Sequence, residues 1–218
     1  MAARTIQGGF FVTFEGPEGA GKTTQIELLN RVLSARGYAV TVTREPGGTR
    51  LGERLRELIK HFDDPEGVAP EAELLLFGAS RAQHVRLVIG PHLARGGIVL
   101  CDRFADSTTV YQGLARGLDP AFIAAMHRFT LGTRWPDLTF VMDLDVDAGF
   151  ERARQRQLAA PGPADRIEAE SRPFHEAVRR GFLELAAREP GRVRVIAAAA
   201  APDVVHARIL EELDRALG

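Results

Sequence analysis

Apolar residues along the chain fall into two alternating patterns. Five short, continuous apolar runs, rich in β-branched and aromatic residues, predict buried strands at 9–14, 39–43, 98–101, 138–144 and 192–196. Between these runs, apolar residues recur every three to four positions, which predicts amphipathic helices. Strands that alternate with helices form parallel sheets covered by helices on both faces, so we expect one three-layer α/β domain over residues 1–218.

Individual residues predict where several helices lie. Asp119 followed by Pro120 is a capping residue before the residue favoured at the first helical position, and Asp147 is predicted to cap a later helix. Two further helices are predicted from apolar stripes, which comprise Leu51, Leu55, Leu58, Ile59 and Phe62, and Val205, Ile209 and Leu213. The segment 158–164, LAAPGPA, interrupts a charged helical region and is interpreted as a mobile flap.

Composition and charge exclude several classes of protein. The chain is 45% hydrophobic and 26% charged, with 28 basic and 29 acidic side chains, as is typical of soluble globular proteins. A formal charge of −1 argues against a protein that coats nucleic acid, and the single Cys101 suits a reducing cytoplasm. The apolar run 10–14 is too short to cross a membrane. We therefore expect a cytoplasmic protein that binds neither nucleic acid nor a membrane.

Residues 16–23 form a phosphate-binding loop. Their sequence, GPEGAGKT, fits G-x-x-x-x-G-K-[ST], follows a predicted strand and precedes a predicted helix. Backbone N–H groups of such a loop surround phosphate oxygens, the lysine reaches the β- and γ-phosphates, and the hydroxyl binds Mg²⁺. The predicted nucleotide-binding residues are Gly16, Pro17, Glu18, Gly19, Ala20, Gly21, Lys22, Thr23 and Thr24.

Lysine occurs at two positions only, Lys22 and Lys60, among 28 basic residues. The excess of arginine is interpreted as codon bias. Lys22 lies where a compact ammonium fits inside the loop and a guanidinium would overfill it. Lys60 is interpreted as a solvated helix residue.

A phosphate-binding loop is compatible with a GTPase switch, a motor ATPase or a small-molecule kinase. A GTPase needs Asn-Lys-x-Asp to read guanine, and neither lysine lies in such a segment. A motor ATPase usually needs a longer chain. The kinase is favoured by Asp102 and Arg103, which end a predicted strand where ligands bind in open α/β sheets. There the carboxylate can hold hydrated Mg²⁺ and the guanidinium can bind a phosphate.

Four segments in this order resemble those of bacterial thymidylate kinases. They are GPEGAGKTT at 16–24, TREPGGT at 43–49, DRF with Ser107, Thr108, Tyr111, Gln112 and Gly113 at 102–113, and DRIE at 165–168. The resemblance extends from about residue 8 to residue 190. It implies the phosphate-loop kinase fold with strand order 2-3-1-4-5, a lid near residues 150–170, a homodimer, and Mg²⁺-dependent transfer of the γ-phosphoryl group of ATP to dTMP.

The resemblance also implies which residues bind the nucleoside of dTMP. Phe77 would stack on thymine and Arg81 would donate to a base carbonyl; the two lie four residues apart and share a helix face. Thr108 and Gln112, also four residues apart, offer donors and acceptors to the base edge. Tyr111 would pack under the deoxyribose.

The acceptor phosphate is assigned to Arg103 and Arg56, with the stronger case for Arg103 at its strand end. The resemblance gives Glu18 the sugar 3′-hydroxyl or a metal-bound water. It also implies that Glu45 and Pro46 form a substrate-binding turn joined by a cis peptide bond.

The resemblance implies that the lid supplies the arginine that stabilises the transition state, since bacterial enzymes of this kind take it from there when the phosphate-binding loop carries a carboxylate, here Glu18, and no arginine. On a helix, Arg152 and Arg156 share one side and Arg154 points away, so either of the first two is a candidate. Two alternatives stay open: another nucleoside or nucleoside monophosphate kinase of the same fold, and an ATP-dependent switch that binds a protein partner.

Overall fold

The computed structural model describes residues 4–160 and 165–218. Its strands form one fully parallel sheet in the order β2-β3-β1-β4-β5, which confirms the predicted fold class and strand order. The strands are β1 Phe10–Glu15, β2 Val40–Arg44, β3 Ile98–Asp102, β4 Leu138–Asp143 and β5 Val193–Ala197. Each lies within one residue of its predicted bounds, because continuous apolar runs are typical of strands buried on both faces.

The helices of the described residues connect the strands and cover both faces of the sheet. They are α1 Lys22–Ala35, α2 Arg50–His61, α3 Pro70–His84, α4 Gly90–Ala94, α5 Ala105–Thr108, α6 Pro120–Leu131, α7 Val146–Ala159, α8 Arg172–Arg188 and α9 Pro202–Leu217. Two π-helical segments, Val85–Ile89 and Thr109–Ala115, continue α3 and α5 without a break.

Two predictions about helix ends have different outcomes. Asp119 caps α6, since its side chain accepts a hydrogen bond from the backbone N–H of Ala121. The prediction that Asp147 caps α7 is wrong. Asp145 is the capping residue and accepts from the N–H of Asp147, which lies in the first turn. An acidic residue in either position stabilises a helix N-terminus, so the sequence pattern alone did not separate the two.

Alternation along the central strand divides the core into two layers. Val12 of β1 faces a cluster with Leu29 of α1 and Ile209 of α9. Phe11 faces the opposite cluster, where its ring packs edge-on against Phe104 at a centroid distance of 4.9 Å. All of these side chains are fully buried. Helices on both faces therefore leave the end of the sheet as the place where a ligand has access.

The predicted apolar stripe of α2 forms a helix face, but most of that face is exposed. Leu51 and Leu58 are 49% and 48% exposed and Phe62 is 39% exposed, whereas Ile59 is fully buried. The period of three to four residues predicts the helix correctly, and it does not specify what covers its apolar side. In the described part of the chain, no helix has the length and apolarity needed to span a membrane.

The predicted flap at 158–164 is partly helical. Leu158 and Ala159 form the last turn of α7, and residues 161–164 lie outside the described residues. The chain returns at Asp165, whose side chain lies 2.6 Å from Lys60 Nζ. The interpretation of Lys60 as a solvated residue is wrong, because its side chain is only 19% exposed and ion-paired with Asp165.

Candidate active site

Parallel register brings the chemically active segments to one edge of the sheet. Phe14 of β1 and Arg44 of β2 both pair with Asp102 of β3, so these strands end side by side. A cavity of about 830 Å³ opens at that edge. The predicted site residues that line it are Glu18, Gly19, Ala20, Gly21, Lys22, Thr23, Thr24, Glu45, Pro46, Arg56, Phe77, Arg81, Asp102, Arg103, Tyr111, Gln112, Arg152 and Arg156.

The phosphate-binding loop is held by close backbone contacts. Gly16 and Gly19 have positive φ angles of 125° and 72°, and a Cβ at these positions would lie 2.5 Å from Met142 O and 2.4 Å from Gly149 O. Glycine is therefore required at both positions. The buried Lys22 Nζ donates to Pro17 O at 2.8 Å and to Gly16 O at 3.3 Å. Gly16 and Pro17 thus hold the lysine from behind the cavity.

The pKa of Lys22 is lowered, so this ammonium loses its proton more readily than an exposed lysine does. Burial, together with the nearby cation Arg103, lowers the pKa of Lys22 to about 8, and the carboxylates of Glu18 and Asp102 act in the opposite direction. An anion placed in the loop would favour the charged ammonium.

One hydroxyl and one carboxylate meet at the mouth of the loop. Thr23 Oγ1, at the start of α1, donates to Asp102 Oδ2 at 2.9 Å. Mg²⁺ in phosphate sites is typically bound by one or two protein oxygens, with water and phosphate completing the octahedron. The pair fits that donor set, and the structure brings together the two predicted metal-binding residues.

Arg103 is held in the cavity by an unusual backbone conformation. Its φ angle of 66° lies in the left-handed region, which costs about 1–2 kcal/mol for a residue with a side chain. Buried Glu15 fixes the segment that follows, because Oε1 accepts from the Phe104 N–H at 2.7 Å and Oε2 accepts from Ser107 Oγ at 2.6 Å. The Arg103 guanidinium lies over the Tyr111 ring, 5.2 Å from its centroid. The arginine is therefore aimed before any ligand arrives.

Glu18 links the loop to cations from two other elements. Arg156 of α7 approaches its carboxylate at 2.6 Å and Arg103 at 3.6 Å. Burial opposes ionisation of Glu18, but the charges of Lys22, Arg103 and Arg156 outweigh burial and lower its pKa. The carboxylate is consequently ionised and available to a hydroxyl or to metal-bound water.

A buried arginine with one unused donor group lies deeper in the cavity. Arg81 is 1% exposed, and its Nε donates to Glu45 Oε2 at 2.8 Å while Nη2 donates to Thr108 Oγ1 at 2.9 Å. Nη1 is buried and finds no hydrogen-bond partner among the described residues. Because buried donors are normally paired, this group indicates a ligand acceptor. Thr108 does not line the cavity and instead holds Arg81 from behind.

The Glu45–Pro46 peptide bond is cis, as predicted. Glu45 is buried and supports the arginine through one oxygen, while its other oxygen lies 3.1 Å from His84 Nδ1. Pro46 O accepts from Arg56 Nη1 at 2.9 Å. This turn therefore positions two arginines, Arg81 and Arg56, on the same side of the cavity.

The model of the thymidylate kinase family matches residues 14–209. The chain belongs to the thymidylate kinase family. It is 49% identical over 208 residues to a thymidylate kinase of Desulfosudis oleivorans, with 94% of this chain and 96% of the relative covered. It is 52% identical over 191 residues to one of Pseudomonas syringae pv. tomato, with 88% of each covered. The crystal structure of thymidylate kinase from Ehrlichia chaffeensis has a TM-score of 0.75 at 34% identity, with 94% of this chain and 98% of that chain covered.

The three arginines of α7, where the thymidylate kinase lid is predicted, occupy different surroundings. Arg156 contacts Glu18 and also Glu168 at 3.1 Å. Arg152 Nη1 donates to Gly19 O at 3.4 Å and to Ala198 O at 3.3 Å, on the side of the cavity near the loop after β5. Arg154 pairs with Glu151 on the outer surface, as the helical spacing predicts.

Sequence reasoning misses several residues that support this thymidylate kinase site. Glu73 is fully buried and accepts a hydrogen bond from Gln112. Its spacing was a usable signal, because Glu73 lies four residues before Phe77 and the two residues share one face of α3. Buried His84 supports Glu45, and buried His175 lines the cavity. Their partners are distant in sequence, so no local pattern identifies them.

Proposed function

We propose that the cavity performs the reaction of the thymidylate kinase family through the residues described above. The chain is an ATP-dependent nucleoside monophosphate kinase of that family. The reaction transfers the γ-phosphoryl group of ATP to the phosphate of dTMP and gives ADP and dTDP. The acceptor oxygen is already anionic, so no general base is required, and catalysis rests on alignment and neutralisation of charge.

The observation that carries the proposal for dTMP is that Nη1 of Arg81 has no hydrogen-bond partner in the described part of the chain, in a cavity that Phe77 and Gln112 also line. A pyrimidine stacked on Phe77 would accept from Arg81 through its 4-carbonyl oxygen. It would donate from N3–H to the Gln112 carbonyl. Thymine and uracil offer this pattern, whereas cytosine has an amino group at position 4 and no hydrogen on N3. Tyr111 would lie against the deoxyribose and Glu18 would accept from the 3′-hydroxyl.

The phosphates are assigned to the mouth of the cavity. The loop N–H groups and Lys22 would bind the donor phosphates, and Arg103 and Arg56 would bind the acceptor phosphate. Thr23 and Asp102 would hold Mg²⁺, which when bound neutralises charge on the β- and γ-phosphates. Arg156 is the residue of the predicted lid that we assign to the transition state, because it already contacts Glu18 of the phosphate-binding loop. Arg152 is assigned to the donor nucleotide beside Ala198.

A coupled assay for ADP release tests the proposal. The acceptors are dTMP, dUMP, UMP, CMP, AMP, GMP and thymidine at equal concentration, with ATP and Mg²⁺. We expect dTMP to give the highest rate and thymidine to give none, because thymidine lacks the phosphate that Arg103 binds. No rate with dTMP would refute the assignment. ATP hydrolysis that depends on a protein partner and not on an acceptor would favour the switch instead.

We also propose a homodimer, formed through α2, α3 and α6. Leu58 of α2, Leu75 of α3 and Phe122 and Phe129 of α6 are exposed, Phe129 by 88%, and α3 packs between the other two helices. Contiguous exposed apolar surface is typical of protein interfaces. Sedimentation velocity should show a dimer that Phe129→Glu converts to monomers, whereas Val204→Glu, at an exposed position of α9, leaves it intact. A monomeric starting protein would refute this proposal.

A further inference from the structure

Glu73 is a buried carboxylate that does not line the cavity itself but bonds to Gln112, which does. It is fully buried on α3. Its Oε1 accepts from Gln112 Nε2 at 2.7 Å and from Arg116 Nε at 2.7 Å. Its Oε2 accepts from Arg116 Nη2 at 3.0 Å and from Arg166 Nη2 at 2.6 Å. Four donors thus converge on one carboxylate.

Glu73 is ionised despite its burial. Burial favours the neutral acid, but the hydrogen bonds from Arg116, Gln112 and Arg166 outweigh burial and lower the pKa of Glu73. Arg116 is itself paired with Glu170 at 2.9 Å. The two arginines and two carboxylates therefore balance in charge, and an ionised carboxylate can only accept hydrogen bonds.

This property of Glu73 determines which way the amide of Gln112 faces. A glutamine amide has two ends of nearly the same shape, an NH₂ donor and a carbonyl acceptor, and local hydrogen bonds select between the two orientations. Only the NH₂ end can bond to an acceptor-only partner. Gln112 lines the cavity, so the bond to Glu73 turns its carbonyl oxygen away from Glu73 and toward the ligand.

We propose that Glu73 is a positioning residue that sets pyrimidine specificity by locking Gln112 with its acceptor toward the base. This inference rests on the proposed function, in which Gln112 meets position 3 of the pyrimidine. A ring with N3–H, as in thymine or uracil, is accepted. Cytosine, whose N3 is itself an acceptor, is rejected because two acceptors would face each other in a buried site.

The test compares dTMP with dCMP as acceptors, using the full-length protein and its Glu73→Gln variant. Glutamine at 73 can donate to the carbonyl of Gln112 and so permits the reversed amide. We expect the ratio of kcat/KM for dTMP to that for dCMP to fall at least about tenfold, which corresponds to one hydrogen bond of discrimination. Asp106→Asn is the matched control. Asp106 is equally buried and bonded to Arg192, so its loss should leave the ratio unchanged.

A double-mutant cycle separates positioning from general support of the fold. If Glu73 acts through Gln112, then Glu73→Gln has no further effect on the ratio in a Gln112→Leu background. If Glu73→Gln reduces the activities with dTMP and dCMP equally, the ratio of their kcat/KM values does not change. That result would overturn the inference and leave the proposed function standing. A wild-type protein that does not phosphorylate dTMP would overturn both.

A measurement on the wild-type protein covers the case in which Glu73→Gln does not fold. In ¹⁵N-labelled protein, the side-chain NH₂ signal of Gln112 is assigned by its loss in Gln112→Leu. We expect it to exchange slowly with solvent, because Nε2 is bonded to a buried carboxylate. Exchange as fast as that of exposed glutamines would show that the amide is not locked and would overturn the proposal.

Discussion

Glu15 should make the protein lose stability as the pH rises from mildly acidic values to neutrality, and glutamine at this position should remove the loss. The side chain is fully buried at the end of β1. Burial first, and the charge of Asp106 second, raise the pKa of Glu15 from 4.5 to about 7. An acid whose pKa is higher in the folded than in the unfolded chain binds its proton more tightly when folded. The contribution of Glu15 to the free energy of unfolding is therefore fully present below pH 4.5 and is lost between pH 4.5 and about 7.

The magnitude follows from the two pKa values. A pKa difference from 4.5 to about 7 corresponds to about 3 kcal/mol of unfolding free energy, since each unit is worth about 1.4 kcal/mol. Glu15→Gln retains an oxygen that can accept from the N–H groups of Phe104 and Ser107. Its NH₂ group can donate to the Ser107 hydroxyl. The variant therefore removes the charge and keeps the shape.

Urea unfolding of both proteins at pH 5, 6, 7 and 8 measures the effect. Other titrating groups contribute equally and cancel in the difference between the two proteins. Relative to wild type, Glu15→Gln should gain up to about 3 kcal/mol between pH 5 and pH 8. The 2.6 Å hydrogen bond from Ser107 lowers the pKa of Glu15. Ser107→Ala removes this bond and so raises that pKa, and the loss of stability should extend to higher pH. A difference between Glu15→Gln and wild type that does not change with pH would refute the reasoning.

Three further predictions concern catalysis. Lys22→Ala should lower kcat at least about 10³-fold with little change in the Kd for dTMP by calorimetry, and loss of dTMP binding with transfer preserved would contradict the assignment. Arg156→Ala should mainly lower kcat, Arg152→Ala should mainly raise the KM for ATP, and the surface control Arg154→Ala should change neither. Equal effects of Arg156→Ala and Arg152→Ala would refute the division of roles. Thr23→Val should raise the Mg²⁺ concentration that gives half-maximal rate about tenfold, and an unchanged Mg²⁺ dependence would argue against a site at Thr23.

Local features of the sequence predicted the sheet and the phosphate-binding loop. The strand at 138–143 is an unbroken apolar run, and such a run specifies burial without reference to the rest of the chain. The loop is recognisable in the same way, from the spacing of its glycines, lysine and threonine between a strand and a helix, although the backbone atoms that require glycine at 16 and 19 belong to Met142 and Gly149. Features of this kind can be recognised from adjacent residues alone, and the strands were located to within one residue.

Features that depend on distant partners were not predictable. Glu73 has its role from Gln112, Arg116 and Arg166, which lie 39, 43 and 93 positions away. Arg81 was assigned to the base only through the family resemblance, and its contacts with Glu45 and Thr108 could be identified only from the fold. Thr108 illustrates the limit, since its spacing of four residues from Gln112 could not show that it lies behind Arg81 and does not line the cavity.

The ion pair between Lys60 and Asp165 joins the segment that follows the predicted lid to α2. Lys60 and Arg56 lie four residues apart on α2, and both line the cavity. The chain after the predicted lid is therefore anchored to the same helix that carries Arg56, which we propose binds the acceptor phosphate. Any factor by which docking of that segment tightens acceptor binding must equal the factor by which the acceptor tightens docking. Under the proposed assignment of Arg56, α2 would therefore couple binding of the acceptor to docking of the segment that begins at Asp165.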